Sequence, residues 1–86
     1  MTEIPPLSSD LTDTPTRVDA RGLRCPMPLL RAKQALAKLP AGAQLEVLAT
    51  DAGSVRDFQA FTRLAGHRLL AMTDAEGVYT YLIEKA

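Results

Sequence analysis

One cysteine, Cys25, stands in the run Gly22-Leu-Arg-Cys-Pro-Met-Pro28 and is the strongest candidate for chemistry in the chain. A thiolate attacks disulfides, persulfides and oxidants, so the first question is whether Cys25 ionises. An ordinary thiol, with a pKa of about 8.5, is only about 3% thiolate at neutral pH. Two features favour the anion. The residues after Cys25 open a helix, where unpaired N–H groups and a partial positive charge collect. Arg21 and Arg24 add full positive charges nearby. Together they predict a depressed thiol pKa. Pro26 and Pro28 hold their φ angles at about −65° and stiffen the junction. They also remove two N–H donors, which leaves the N–H of Met27 to reach the sulfur and keeps a thiolate nucleophilic. The plainer role for a lone cysteine in a small domain is that of a buried small hydrophobe.

The chemistry open to this site is bounded by what surrounds it. A chain of 86 residues is enough for one small domain, with little core to spare for a deep substrate pocket. With a single thiol there is no internal disulfide, and no resolving cysteine to expel a bound sulfur. Cys25 and His67 are the only soft ligands, so a four-ligand zinc site is excluded. No metal and no cofactor is expected. The start Met1-Thr-Glu-Ile-Pro-Pro has neither the basic residues nor the apolar run of a secretory signal. No stretch approaches the roughly 20 apolar residues of a membrane span. A cytoplasmic protein without a membrane partner is expected, where a lone thiol stays reduced.

Charge is balanced overall but unevenly spread. Residues 1–14 carry Glu3, Asp10 and Asp13 and no Lys or Arg, so the remainder is net basic. Around the cysteine, Arg17, Arg21, Arg24, Arg31 and Lys33 are opposed in sequence only by Asp19. This bias suits an anionic group or an acidic partner surface. It is too small to predict direct binding of nucleic acid.

Residues 1–14, with Pro5, Pro6, Ser8 and Ser9 and no apolar period, read as a flexible tail, and residues 15–86 as the folded domain. Thr16 to Ala20 predicts a short strand, and Gly22 a turn toward Cys25. From Pro26 to about Leu39 the apolar residues Leu29, Ala32, Leu36 and Leu39 repeat at helical spacing, until Pro40-Ala-Gly42 stops the helix. Gln44 to Thr50 alternates as a strand. Ser54 with Asp57 resembles a capping box for a second helix, whose predicted buried stripe is Val55, Phe58, Phe61 and Ala65, with Leu64 beside it. Gly66 suits its end. Two further runs, His67 to Thr73 and Val78 to Glu84, flank Asp74-Ala-Glu-Gly77 and read as a hairpin. The order βαβαββ predicts an α+β, two-layer α/β sandwich. Its two helices pack on one face of a four-stranded mixed sheet.

The motif Asp19-x-x-Gly22-Leu-Arg-Cys25-Pro-x-Pro28 resembles the signature of the TusA, or SirA-like, sulfur carriers. The similarity continues through Leu45-Glu-Val47, Asp51, Arg56-Asp57, Gly66-His67 and Tyr81-Leu-Ile83, covering about residues 16–86. The resemblance implies that Cys25 accepts sulfane sulfur as a persulfide from a cysteine desulfurase or rhodanese-type donor. A downstream acceptor protein then takes it, for tRNA 2-thiolation, molybdenum-cofactor maturation or sulfur oxidation. That is a sulfurtransferase-type relay rather than a self-contained enzyme, and a monomer when free. Gly22, Leu23, Pro26, Met27 and Pro28 shape the site in this reading. Arg21, Arg24, Arg31 and Asp51 tune the thiolate or dock partners. Many tRNA-thiolating members have Glu where this chain has Met27, which points away from that branch.

Plainer readings apply elsewhere. His67 is expected to be structural, Phe58 and Phe61 core, and Asp51 and Asp57 helix caps, with contact to a donor enzyme as their alternative role. Met27 and Leu23 would form an apolar collar around the thiol. Tyr79 and Tyr81 share one strand face. If that face is uncovered, they offer a stacking platform for a base. Two other functions therefore stand beside the carrier: a thiol-based redox-sensing module, and an RNA-binding sandwich without thiol chemistry.

Overall fold

A computed structural model describes residues 15–86, and the tail expected over residues 1–14 lies outside the described residues. Six elements follow in the predicted order: β1 (Thr16–Ala20), α1 (Met27–Ala37), β2 (Gln44–Ala49), α2 (Gly53–Ala65), β3 (Arg68–Ala75) and β4 (Val78–Glu84). The strands form one sheet in the order β1-β2-β4-β3. β1 and β2 are parallel, and β4 is antiparallel to both β2 and β3. The sheet is therefore mixed, as expected.

Strand periodicity selects the buried face. Leu45, Val47 and Ala49 of β2 are fully buried, and the residues between them are half-buried. In register beside them lie Val18 and Ala20 on β1 and Tyr79, Tyr81 and Ile83 on β4. Both helices cover this face, with Ala32 and Leu36 from α1 and Phe58 from α2 completing the core. Phe58 stacks on Tyr81 with ring centroids 4.3 Å apart.

The placement of Tyr81 corrects one expectation. The face shared by Tyr79 and Tyr81 is the covered one, and Tyr81 is fully buried. Its hydroxyl is hydrogen-bonded to Ser54 Oγ at 2.7 Å. Burial, the largest influence, pushes the Tyr81 pKa up. There is no aromatic platform on the open side of the sheet at this pair.

The buried stripe of α2 is also shifted from the expected one. Ser54, Phe58 and Thr62 are buried, whereas Ala65 is exposed and Leu64 is 82% exposed. Two polar residues fit the interior because each finds a partner. Ser54 meets the Tyr81 hydroxyl, and Thr62 Oγ1 donates back to the Phe58 carbonyl at 2.9 Å. The β3–β4 link is tighter than expected. Only Glu76 and Gly77 connect the strands, both at positive φ (54° and 82°), the backbone of a two-residue hairpin.

Two contacts fix the ends of α1. Lys85 Nζ donates to the carbonyls of Leu36 and Leu39 at 2.7 and 2.9 Å, placing a cation at the negative end of the helix dipole. At the other end the helix begins after Pro26, with Pro28 buried in its first turn. No helix among the described residues is long and apolar enough to cross a membrane.

Candidate functional site

Parallel pairing of β1 and β2 sends the chain from the same sheet edge into both helices, so the starts of α1 and α2 lie side by side. A cleft of about 530 Å³ opens beside Cys25 along the start of α2, lined by Cys25, Ala52, Gly53, Val55, Arg56, Asp57 and Gln59. Cys25 is exposed, so the thiol is not a core residue.

The loop that carries Cys25 is anchored at several points. Gly22 adopts φ +82°, a conformation that favours glycine. Its N–H donates to Thr50 Oγ1 at 2.8 Å, tying the loop to the end of β2. Leu23 donates its N–H to the Ala20 carbonyl at 3.2 Å and packs against the core. It therefore faces inward rather than collaring the thiol, while Met27 is 40% exposed beside the site. The peptide bond between Cys25 and Pro26 is cis.

The electrostatics overturn the expected depression of the thiol pKa. Cys25 Sγ donates to Asp57 Oδ2 at 2.6 Å. This hydrogen bond, then desolvation, then the negative charges of Asp57 and Asp51 push the thiol above its ordinary value. None of the positive influences expected from sequence opposes them. The Met27 N–H is engaged with the Arg24 carbonyl at 2.8 Å. Arg21 grips Asp19 through Nε and a second guanidinium nitrogen, both at 2.8 Å, and holds that carboxyl down at about 2. Arg31 lines a separate groove with Arg17, Asp19 and Lys38. Arg24 is exposed.

The start of α2 supplies the acids. Asp51 Oδ2 accepts the Gly53 N–H at 3.1 Å, a local turn that feeds the helix. Asp57, expected as a cap, instead meets the sulfur, and Ser54 makes no cap contact because its hydroxyl is turned to Tyr81. Gly53 backs the thiol closely. A Cβ there would lie 2.9 Å from Asp51 Oδ2 and 3.6 Å from Cys25 Cβ. His67 has a structural contact, accepting the Ala86 N–H on Nδ1 at 2.9 Å beside Phe61.

Comparison with known proteins shows the family. Residues 16–85 match the family model described as Sulfurtransferase TusA. This chain belongs to the TusA family. It is 42% identical over 76 residues to the sulfur carrier protein TusA of Allochromatium vinosum, covering 88% of this chain and all of that one. It is 49% identical over 67 residues to NMA0882 of Neisseria meningitidis serogroup A, named as a candidate sulfur carrier, covering 78% and 90% of the two chains. In structure it resembles the SirA-like protein DSY4693 of Desulfitobacterium hafniense, with a TM-score of 0.73, 32% identity, and coverage of 80% and 95%.

Within this TusA-family chain, none of the motif residues Gly22, Pro26, Met27 and Pro28 lines the cleft beside Cys25. Asp51 lies close enough to influence the thiol. The neighbours of the sulfur missed from sequence are Asp57 and Gly53, with Arg56 lining the same cleft, all on the neighbouring helix. The signal that locates them is topological. Two parallel strands, each followed by a helix, bring two helix starts to one edge, where open α/β sheets gather ligands.

Proposed function

We propose that this protein is a sulfur carrier that holds sulfane sulfur as a persulfide on Cys25 and passes it between proteins. The observation that carries the reading is an exposed thiol at the mouth of a cleft, in a chain of the TusA family. The transfer needs no outside oxidant. Cys25 sulfur attacks the outer sulfur of a donor persulfide, a new S–S bond forms, and the donor's S–S bond breaks to release its thiol. The relatives are named as sulfur carriers, which supports donor and acceptor proteins as partners. A cysteine desulfurase or rhodanese-type enzyme is the donor in this reading. The exposed Met27 at the motif's variable position favours an acceptor outside the tRNA-thiolation branch.

The two competing readings lose support. Against a redox sensor, the relatives of this chain are named as sulfur carriers. An RNA platform relies on exposed aromatics, and Tyr81 is buried. Incubation with a cysteine desulfurase and cysteine, followed by intact-mass measurement, tests the carrier. A gain of about 32 Da, the mass of one sulfur atom, is expected in the wild type and absent in Cys25→Ala. An unmodified wild type in the presence of active desulfurase and rhodanese would sink the reading.

A further inference from the structure

The contact between Cys25 and Asp57 is closer than partner docking alone requires, and the Cys25 motif does not include its acid. Asp57 comes from the opposite helix, yet its Oδ2 sits 2.6 Å from Sγ, the only described side-chain hydrogen bond the sulfur makes. The other charged groups around the pair are few. Arg56 lines the same cleft on α2, Asp51 precedes that helix, Lys33 of α1 lines a groove shared with Asp57, and Arg24 is exposed in the loop before Cys25. None of these cations makes a described hydrogen bond or ion pair with Asp57, so its carboxylate is free to accept the thiol proton.

We propose that Asp57 shuttles the proton of the sulfur handover, taking it from Cys25 and returning it to the sulfur that leaves the donor. This rests on the carrier reading above and assigns a role to a residue outside the cysteine motif. In the step, the Sγ–H proton passes to Oδ2 as Sγ bonds to the donor's outer sulfur. The donor's S–S bond breaks, and its departing thiolate collects the proton from Oδ2. One thiol and one persulfide enter, one persulfide and one thiol leave, and no net charge or electron is gained. Before a donor arrives, the same carboxylate keeps Cys25 protonated. That suppresses reaction with passing electrophiles, because the thiolate is the reactive form. The carboxylate thus restrains the free protein and assists only a reaction whose leaving group takes up a proton.

This dual action has a signature that neither a structural role nor a simple charge effect reproduces. Iodide leaves as the anion of a strong acid and takes no proton, whereas a departing cysteine thiolate is basic enough to accept one. With Asp57→Asn, alkylation by iodoacetamide at pH 7 is expected to speed up severalfold as the thiol pKa falls. Loading of sulfur from cysteine hydropersulfide is expected to slow about tenfold or more, as for loss of a positioned acid–base group. If both rates move in the same direction, the proposal is wrong. The wild type gives a second reading that needs no variant. Its alkylation midpoint should lie above that of an ordinary thiol, about 8.5, and a midpoint below it would also overturn the proposal. Opposed rate changes with hydropersulfide, together with no loading from desulfurase or rhodanese, would support the proton shuttle while removing the carrier reading.

Discussion

The two helices start side by side at the cleft but are built from different materials. The start of α1 supplies the sulfur and almost nothing to stabilise its charge. Its prolines lack N–H groups, Met27 N–H is bonded within the turn, and Arg21 is paired with Asp19. The start of α2 supplies carboxylates, one of them bonded to the sulfur. The ionisation of a reactive cysteine is therefore set here by a neighbouring helix, not by the one it introduces. A helix dipole is worth only about 0.3–1 kcal/mol at an exposed site. A full negative charge in direct hydrogen-bond contact outweighs it.

The harshest way to break this contrast is to remove the platform that positions α2. Phe58 is fully buried and stacked on Tyr81. Phe58→Ala should cost about 3–5 kcal/mol, measurable as a lower urea midpoint, and a domain this small has little stability in reserve. If the midpoint holds while Cys25 alkylation speeds up, α2 is coupled to the sulfur without being anchored by its core residue.

A gentler test separates the charges at the start of α1. Asp19 titrates at about 2 because Arg21 binds it, below its usual 3.8. Its folded value is depressed, so this pair's small contribution to stability is present above 3.8 and fades as pH falls toward 2. Carbon-detected NMR titration should find that midpoint, and Arg21→Ala should return it toward the ordinary value. An Asp19 midpoint unmoved by Arg21→Ala would mean the guanidinium is not committed to it.

The smallest effect is expected at Gly53. Alanine there would press on Asp51 Oδ2, the flexible end of a side chain that can swing aside. Removing Gly from the first helical position improves helix propensity by up to about 1 kcal/mol, so Gly53→Ala should leave stability unchanged or slightly raised. Displaced Asp51 charge should lower the alkylation midpoint of Cys25 slightly. A raised midpoint would show that Asp51 is not acting on the sulfur as a charge.

These contrasts explain what the sequence disclosed. The cysteine and its motif are contiguous, so their neighbourhood was readable directly. The six elements were legible because β2 alternates cleanly and both helices end on strong stop signals, Pro40 and Gly66. Asp57 was legible as a cap or a contact for a donor enzyme, not as the sulfur's neighbour, since that neighbour lies 32 residues away. Ser54 and Thr62 were missed as interior residues because apolar periodicity passes over polar side chains that find partners. The pair Tyr79 and Tyr81 shared a face as expected, but alternation cannot say which face of a sheet the helices will cover.

The bond from Gly22 N–H to Thr50 Oγ1 has one more consequence. It joins the two loops that lead into the two helices, a few residues from the sulfur on one side and from Asp51 on the other. It thereby ties the loop that carries the thiol to the loop that leads to the carboxylates.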